Sequence, residues 1–302
     1  MRVSVFPTSL GEAVVVRVLE SEKFTGSFAE LGFDPEQAAV LEKTIKKPYG
    51  LILVTGPNGS GKSTTLFSLL NMLNSPERSL VTLEDPVERK IEMVRQTNID
   101  PNIGLTFAEG LRYLLRQDPD VIMVGEIRDP ETAKIALEAA ITGHLVLATI
   151  HTNNAAGVIP RLVDMGIDPY LIAPTLRLAM AQRLVRTLCK GGGKPVPVED
   201  SIKLMLEKQF NDLPENFKKK IPFGKEVYEV TPTKEFPSGI SGRTAVMEVI
   251  EMDKELESVI LTNPVEDELY KVARAKGMLT MKEDAILKAF NREIPFEEIN
   301  TL

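Results

Sequence analysis

The run Gly56-Pro57-Asn58-Gly59-Ser60-Gly61-Lys62-Ser63 limits the possible folds more than any other part of the chain. It follows the apolar stretch Leu51 to Thr55 and leads into a helical pattern from Ser63 to Leu73, so it predicts strand, glycine-rich loop and helix in succession. The glycines let backbone N–H groups turn inward onto phosphate oxygens with no side chain in the way. Lys62 adds a point charge for the β- and γ-phosphates, and the Ser63 hydroxyl is a candidate Mg²⁺ ligand. The helix opening at Ser63 and Thr64 aims its N-terminal dipole at the same anion. ATP with Mg²⁺ is therefore the expected ligand.

The surroundings of this loop predict an α/β fold. Between residues 48 and 190, apolar strand-like runs at Leu51 to Thr55, Ser79 to Leu83, Val121 to Val124 and Leu145 to Ile150 alternate with helical patterns. The helices are expected at Ser63 to Leu73, Thr106 to Arg116, Pro130 to Thr142 and Ala155 to Met165. That alternation is the signature of a parallel sheet with helices packed on it. In such open sheets ligands sit at the carboxyl ends of the strands, so the polar groups there are the candidates for chemistry.

Three such ends carry ionisable residues. Val121 to Val124 runs through Gly125 into Glu126, the arrangement of a carboxylate that holds Mg²⁺ through water; a solvated charge opening the next helix would look the same. Ser79 to Leu83 ends in Glu84-Asp85-Pro86, where Glu84 is a candidate to orient or deprotonate an attacking water, or with Asp85 to cap the turn. The chain has two histidines, His144 and His151, bracketing the run Leu145 to Ile150. Their odd separation puts them on opposite faces of an ideal strand, which argues against a shared metal. His151, at the carboxyl end, is a candidate for the γ-phosphate or for a satisfied core position, whereas His144 suits a structural hydrogen bond.

Composition narrows the class further. With 302 residues and 43% apolar content the chain can bury a substantial core. Its net charge of -7 argues against a general nucleic-acid binder. No apolar run approaches the roughly 20 residues that cross a bilayer, and no secretion signal opens the sequence, so any membrane contact is expected through a partner. The single cysteine, Cys189, fits a reducing cytoplasm.

Breakers and charge runs suggest the domain plan. Residues 1–22 read as a β-hairpin, residues 23–34 as a linker, residues 35–190 as the core, and residues 191–302 as a C-terminal region. The last begins at Gly191-Gly192-Gly193 and holds a helix near Ser201 to Phe210, then a loop segment with a short strand over 211–241. A helical tail follows, with helices at Asp253 to Leu261, Val265 to Lys276 and Lys282 to Phe290.

Taken together, the phosphate loop, the box Thr82 to Glu88, the run Leu114 to Asp120 into Val124 to Asp129, and the His144 to His151 box closely resemble the secretion ATPases of type II secretion and type IV pilus assembly. The resemblance extends from Arg2-Val3-Ser4 through Ala181 to Arg186 to Gly242-Arg243, nearly the whole chain. It implies a RecA-like core in a cytoplasmic homohexamer that works at the inner face of a membrane, docked to an inner-membrane platform protein. It also implies that Lys62 and Ser63 hold phosphate and Mg²⁺, Glu84 polarises the attacking water, and Glu126 supports Mg²⁺. In that family arginines of the preceding domain reach the γ-phosphate, and Arg2 and Arg17 occupy the matching positions; as strand-surface charges they would serve no such role.

Two features depart from the family pattern. Residues 1 to 20 correspond to only the last hairpin of a longer preceding domain, as in a trimmed or a naturally short form. Many assembly and secretion members bind Zn²⁺ through four cysteines, whereas this chain keeps Cys189 alone and has Pro237 to Arg243 where a pair would stand, so no zinc is expected. Missing cysteines are a trait of pilus-retraction members, yet the long segment from Cys189 to Arg243 resembles the assembly and secretion branch. The expected function is ATP hydrolysis driving assembly or secretion. A retraction motor and a nucleic-acid-translocating hexamer are the alternatives, the latter disfavoured by the net charge. A regulatory nucleotide-binding protein without turnover is a further one.

Overall fold

The computed structural model describes residues 2–17 and 27–302, and of Arg2 and Arg17 it describes the backbone alone. Strands β1 (Arg2–Thr8) and β2 (Gly11–Arg17) form the expected hairpin, with Arg2 opposite Arg17 in register. They pair only with each other, and Val3, Val5, Phe6 and Val14 to Val16 are exposed. Helix α1 (Pro35–Ile45) follows, opened by a capping box in which Asp34 accepts from the Gln37 N–H and Gln37 returns the bond.

The centre is a seven-stranded sheet. In chain order its first members are β3 (Gly50–Thr55), β4 (Leu80–Glu84), β5 (Val94–Asn98), β6 (Val121–Val124) and β7 (Leu145–Ile150). Helices α2 (Lys62–Leu73), α3 (Phe107–Leu115) and α4 (Pro130–Ile141) are the crossovers between them. After β7 come α5 (Val158–Asp164), α6 (Pro169–Thr175) and the long strand β8 (Leu176–Leu188). Then β9 (Lys194–Pro197), α7 (Asp200–Gln209), α8 (Glu215–Lys218) and β10 (Glu226–Glu229) form an outlying segment in which β9 and β10 pair. The chain returns to the sheet with β11 (Ile240–Glu251) and ends in α9 (Lys254–Thr262), α10 (Glu266–Ala275) and α11 (Met281–Phe290).

The sheet order is β11-β8-β3-β7-β6-β4-β5, all neighbours parallel except β11 against β8. This is the mixed α/β architecture the sequence predicts. Its strands are apolar on both faces because both faces are covered. Leu51 and Leu53 point into one core with α3, α4 and α6, while Ile52 and Val54 point into the other with α1 and α2.

The sheet does not stop at residue 190. β11 lies beyond the glycine run yet pairs with β8 from Glu251↔Leu178 to Ile240↔Leu188. Its buried residues divide between cores: Ala245 and Met247 join the second, Ile250 the first, and Val246 a third core with α7 and α11. The region expected to hold a helix, a loop segment with a short strand, and a helical tail thus also supplies an edge strand of the central sheet. Among the described residues no helix is long and apolar enough to cross a membrane.

Candidate functional site

The loop from Gly56 to Gly61 joins β3 to α2 with backbone angles that favour glycine: φ is 139° at Gly56 and 89° at Gly61. A Cβ on Gly56 would lie 2.4 Å from the Gln182 carbonyl oxygen, so the close approach of β8 demands glycine there as well. Gly61 is the N-cap of α2 and has no side chain to satisfy the helix's first N–H groups. Among the described residues, nothing accepts from the N–H groups of Gly59, Gly61, Lys62 and Ser63. Gly59 and Ser63 are exposed and Gly61 and Lys62 half-buried, so these donors lie within reach of solvent. A cradle of unpaired N–H groups beside a lysine fits a phosphate chain.

Lys62 bends over the loop, its Nζ donating to the carbonyls of Gly56 at 2.8 Å and Pro57 at 3.0 Å. Burial holds its pKa below the usual lysine value, and the charge of Glu126 opposes that shift. Lys62 and Glu126, on different crossover units, are therefore electrostatic neighbours.

Glu126 follows β6, where the Gly125 N–H donates to the Leu83 carbonyl at 2.8 Å and the Gly125 carbonyl accepts from Thr149 Oγ1 at 2.7 Å. Adjacent strands thus set its position. One carboxylate oxygen is 2.5 Å from Arg128 Nη2 and the other 3.5 Å from His151 Nε2. Asp129, just beyond, caps α4 by accepting from the Thr132 N–H at 2.8 Å. Glu126 on one strand end and the exposed Ser63 hydroxyl in the first turn of α2 are oxygen groups of the kind that suit Mg²⁺, which keeps most of its waters and takes one or two protein oxygens plus phosphate.

Glu84, the last residue of β4, is buried at 4% exposure. Its carboxylate accepts from Thr82 Oγ1 at 2.5 Å and Gln96 Nε2 at 2.9 Å. Burial raises its pKa against those two hydrogen bonds, and the charge of Glu88 adds to the rise. Glu84 lies on the same strand-end edge as Glu126, but β4 stands three places from β3, about 14 Å at ordinary strand spacing.

The two histidines part company. His151 joins Glu126, whereas His144 precedes β7 at the opposite edge, about 23 Å away along the strand. His144 Nδ1 lies 3.0 Å from the Ala139 carbonyl, and its own carbonyl accepts from the Gly50 N–H. The structure therefore places His144 as a strut between α4 and β3, outside the nucleotide loop. The side chains of Arg2 and Arg17 lie outside what is described. Cys189 is buried at the end of β8, its Sγ 3.9 Å from Thr233 Oγ1.

One residue of the site was not singled out by sequence reasoning. Gln182, fully buried in β8, donates from Nε2 to the Ser60 carbonyl at 2.6 Å and accepts from Thr65 Oγ1 at 2.9 Å. It holds both sides of the phosphate loop. The signal available was a glutamine directly after the apolar run Leu178 to Ala181, within the Ala181 to Arg186 segment, a buried amide that must find partners.

This geometry has close relatives. The chain is 42% identical over 300 residues to the type II secretion system protein E of Xanthomonas campestris pv. campestris, covering 99% of this chain and 51% of that protein. It is 42% identical over 303 residues to the type IV pilus assembly ATPase PilB of Thermus thermophilus, covering 99% of this chain and 33% of that one. The chain thus spans about half, or a third, of the relatives it matches. Among solved structures, the pilus retraction motor PilT with bound ADP superposes with a TM-score of 0.68 and 28% identity, over 98% of this chain and 71% of that one. The ATPase DotB of Legionella pneumophila, at 24% identity, shares the fold with a TM-score of 0.64, over 99% of this chain and 71% of that one. The family model for type II/IV secretion system proteins matches residues 1–301, and the chain belongs to that family.

Proposed function

We propose that this chain is the ATP-hydrolysing part of a homohexameric motor for type II secretion or type IV pilus assembly, working in the cytoplasm against an inner-membrane platform protein. The observation that carries the reading is the convergence of the glycine loop, Lys62, Glu126 and His151 on one edge of the sheet. The unpaired N–H groups and Lys62 would bind the β- and γ-phosphates. Mg²⁺, when bound, supplies charge neutralisation to those oxygens, and Ser63 and Glu126 are the residues that would hold it.

Glu84 would take a proton from water as that water attacks the γ-phosphorus and the bond to the leaving ADP oxygen breaks. A carboxyl whose pKa burial has raised is a better base than a solvated one. His151, which lies beside Glu126, would hydrogen-bond the γ-phosphate or the released phosphate. Arg2 and Arg17 would complete the γ-phosphate surroundings from the hairpin, making turnover depend on where the hairpin stands.

The test separates binding from turnover. Lys62→Ala should abolish hydrolysis and weaken ATP binding, whereas Glu84→Gln should keep binding and lose about 100-fold or more in kcat. Normal turnover by Glu84→Gln would remove Glu84 from the chemistry.

A further inference from the structure

The loop that follows β7 carries His151 and Thr152 and is held from both ends. Toward the phosphate loop, the Thr152 N–H donates to Thr55 Oγ1 at 2.7 Å, and Thr55 Oγ1 donates back to the Thr152 carbonyl at 3.1 Å. Thr55 immediately precedes Gly56, so this contact ties the histidine loop to the root of the phosphate cradle. Toward the C-terminal region, the Ala155 N–H donates to Glu248 Oε1 at 2.8 Å, and Asn154 Nδ2 donates to Glu266 Oε1 at 2.5 Å. Glu248 belongs to β11 and Glu266 opens α10, elements distant in sequence from the loop.

Glu248 is the unusual member. It is buried at 4% exposure, and among the described residues it has no lysine or arginine partner; its hydrogen bond comes from the Ala155 N–H. A buried carboxylate without a cation is a costly way to build a sheet edge, and a glutamine would accept the same bond more cheaply. What Glu248 does achieve is a buried hydrogen bond to the Ala155 N–H, which fixes the far end of the loop independently of its ties to Thr55. Glu266 adds a second, solvent-exposed contact; its Oε2 would lie 3.1 Å from a Cβ on Gly157, so Gly157 makes room for it.

We propose that Glu248 and Glu266 act as a two-point latch on residues 154–157, through which β11 and α10 set the position of His151 and Thr152 at the nucleotide site. They are positioning residues: neither reaches the phosphate loop itself. Movement of α10 relative to the sheet would loosen the latch and shift His151 against Glu126. The latch rests on the nucleotide-site reading given above, since only there does the position of His151 affect turnover. Burial pushes the Glu248 carboxyl up to about 7; the backbone donor of Ala155 opposes this, and the charges of Glu266 on α10 and Glu283 on α11 reinforce it.

The experiment compares Glu248→Leu, Glu248→Gln and Glu266→Ala by hydrogen–deuterium exchange and by ATP turnover. Glu248→Leu should speed exchange across 151–157 while leaving β3 and α2 as they were. It should also lower kcat at least about tenfold with KM for ATP within about threefold, because the phosphate loop is untouched and only the orientation of the histidine loop suffers. Glu248→Gln keeps an acceptor oxygen and should restore both readouts to within about twofold. Should Glu248→Leu fail to fold, Glu266→Ala decides, with faster exchange at 154–157 and a fall of about two- to threefold in kcat expected. Unchanged loop exchange in a folded Glu248→Leu protein overturns the latch, as does faster exchange with unaltered kcat. Persisting turnover in Lys62→Ala would instead bring down the nucleotide-site reading, and the exchange data would still judge the anchor.

Discussion

Gln182 holds Ser60 and Thr65 across separations of 122 and 117 positions, and Glu248 holds Ala155 across 93. Neither contact has a local spacing that sequence could reveal. The places of Lys62, Ser63 and Glu126 in the fold were legible because each lies within a few residues of a strand end, whereas the amide and carboxylate that hold the neighbouring loops sit on strands paired from afar. His144 and His151 flank one apolar run, and the direction of that strand already told them apart: His151 lies beside Glu126, and His144 lies at the other end against Ala139. Glu248 also makes stability depend on pH. Its carboxyl rises from the ordinary 4.5 to about 7 on folding, so the folded state holds the proton more tightly. The stabilisation is complete below 4.5 and is lost as pH rises through about 7. Glu248→Gln lacks this titration, so its stability relative to wild type should climb between pH 4.5 and 8, by up to about 3 kcal/mol. Urea unfolding of both proteins across that range checks it; a constant difference would mean that Glu248 ionises as an ordinary carboxylate.

Among elements, β3, β4, β6 and β7 were readable because each is a short apolar run between helical patterns. β8 and β11 were not, since Arg177, Arg183 and Arg186 interrupt the first and Gly242 and Arg243 open the second. Their apolar residues face cores only over part of their length, so neither alternation nor continuity marks them. The tail helices were readable, but what joins them was not. Arg274, in the last turn of α10, is 3% exposed and grips Glu283 of α11 with both guanidinium nitrogens while also reaching Asp212 at 2.7 Å. Burial opposes its charge, and the hydrogen bonds of Glu283 and Asp212 hold its pKa above the usual value nonetheless. Glu283 in turn closes the capping box of α11 with Thr280. Removing one partner leaves a buried charge, so Glu283→Leu should cost about 3–5 kcal/mol, whereas Arg274→Met with Glu283→Leu should recover most of the loss. Denaturant midpoints of the two variants measure this; equal losses would place the strength of the joint in packing around Arg274.

At the scale of the whole molecule, the nucleotide loop lies on an open edge. Ser63 and Thr64 are exposed, the His151 side chain is 46% exposed and that of Arg128 63%. Phosphoryl transfer gains from a walled, water-poor site, and nothing within the described residues supplies the second wall. In the homohexamer proposed above, a neighbouring copy would supply that wall. If so, ATP bound between copies stabilises their contact by mass action. The mass of the chain in solution should then rise toward six copies with a non-hydrolysable ATP analogue and Mg²⁺, and fall again when nucleotide is removed. Lys62→Ala, with the phosphate cradle disabled, should remain small under both conditions. A wild-type monomer at saturating analogue would mean that the open edge is closed by some other chain, and that this one does not build the ring itself.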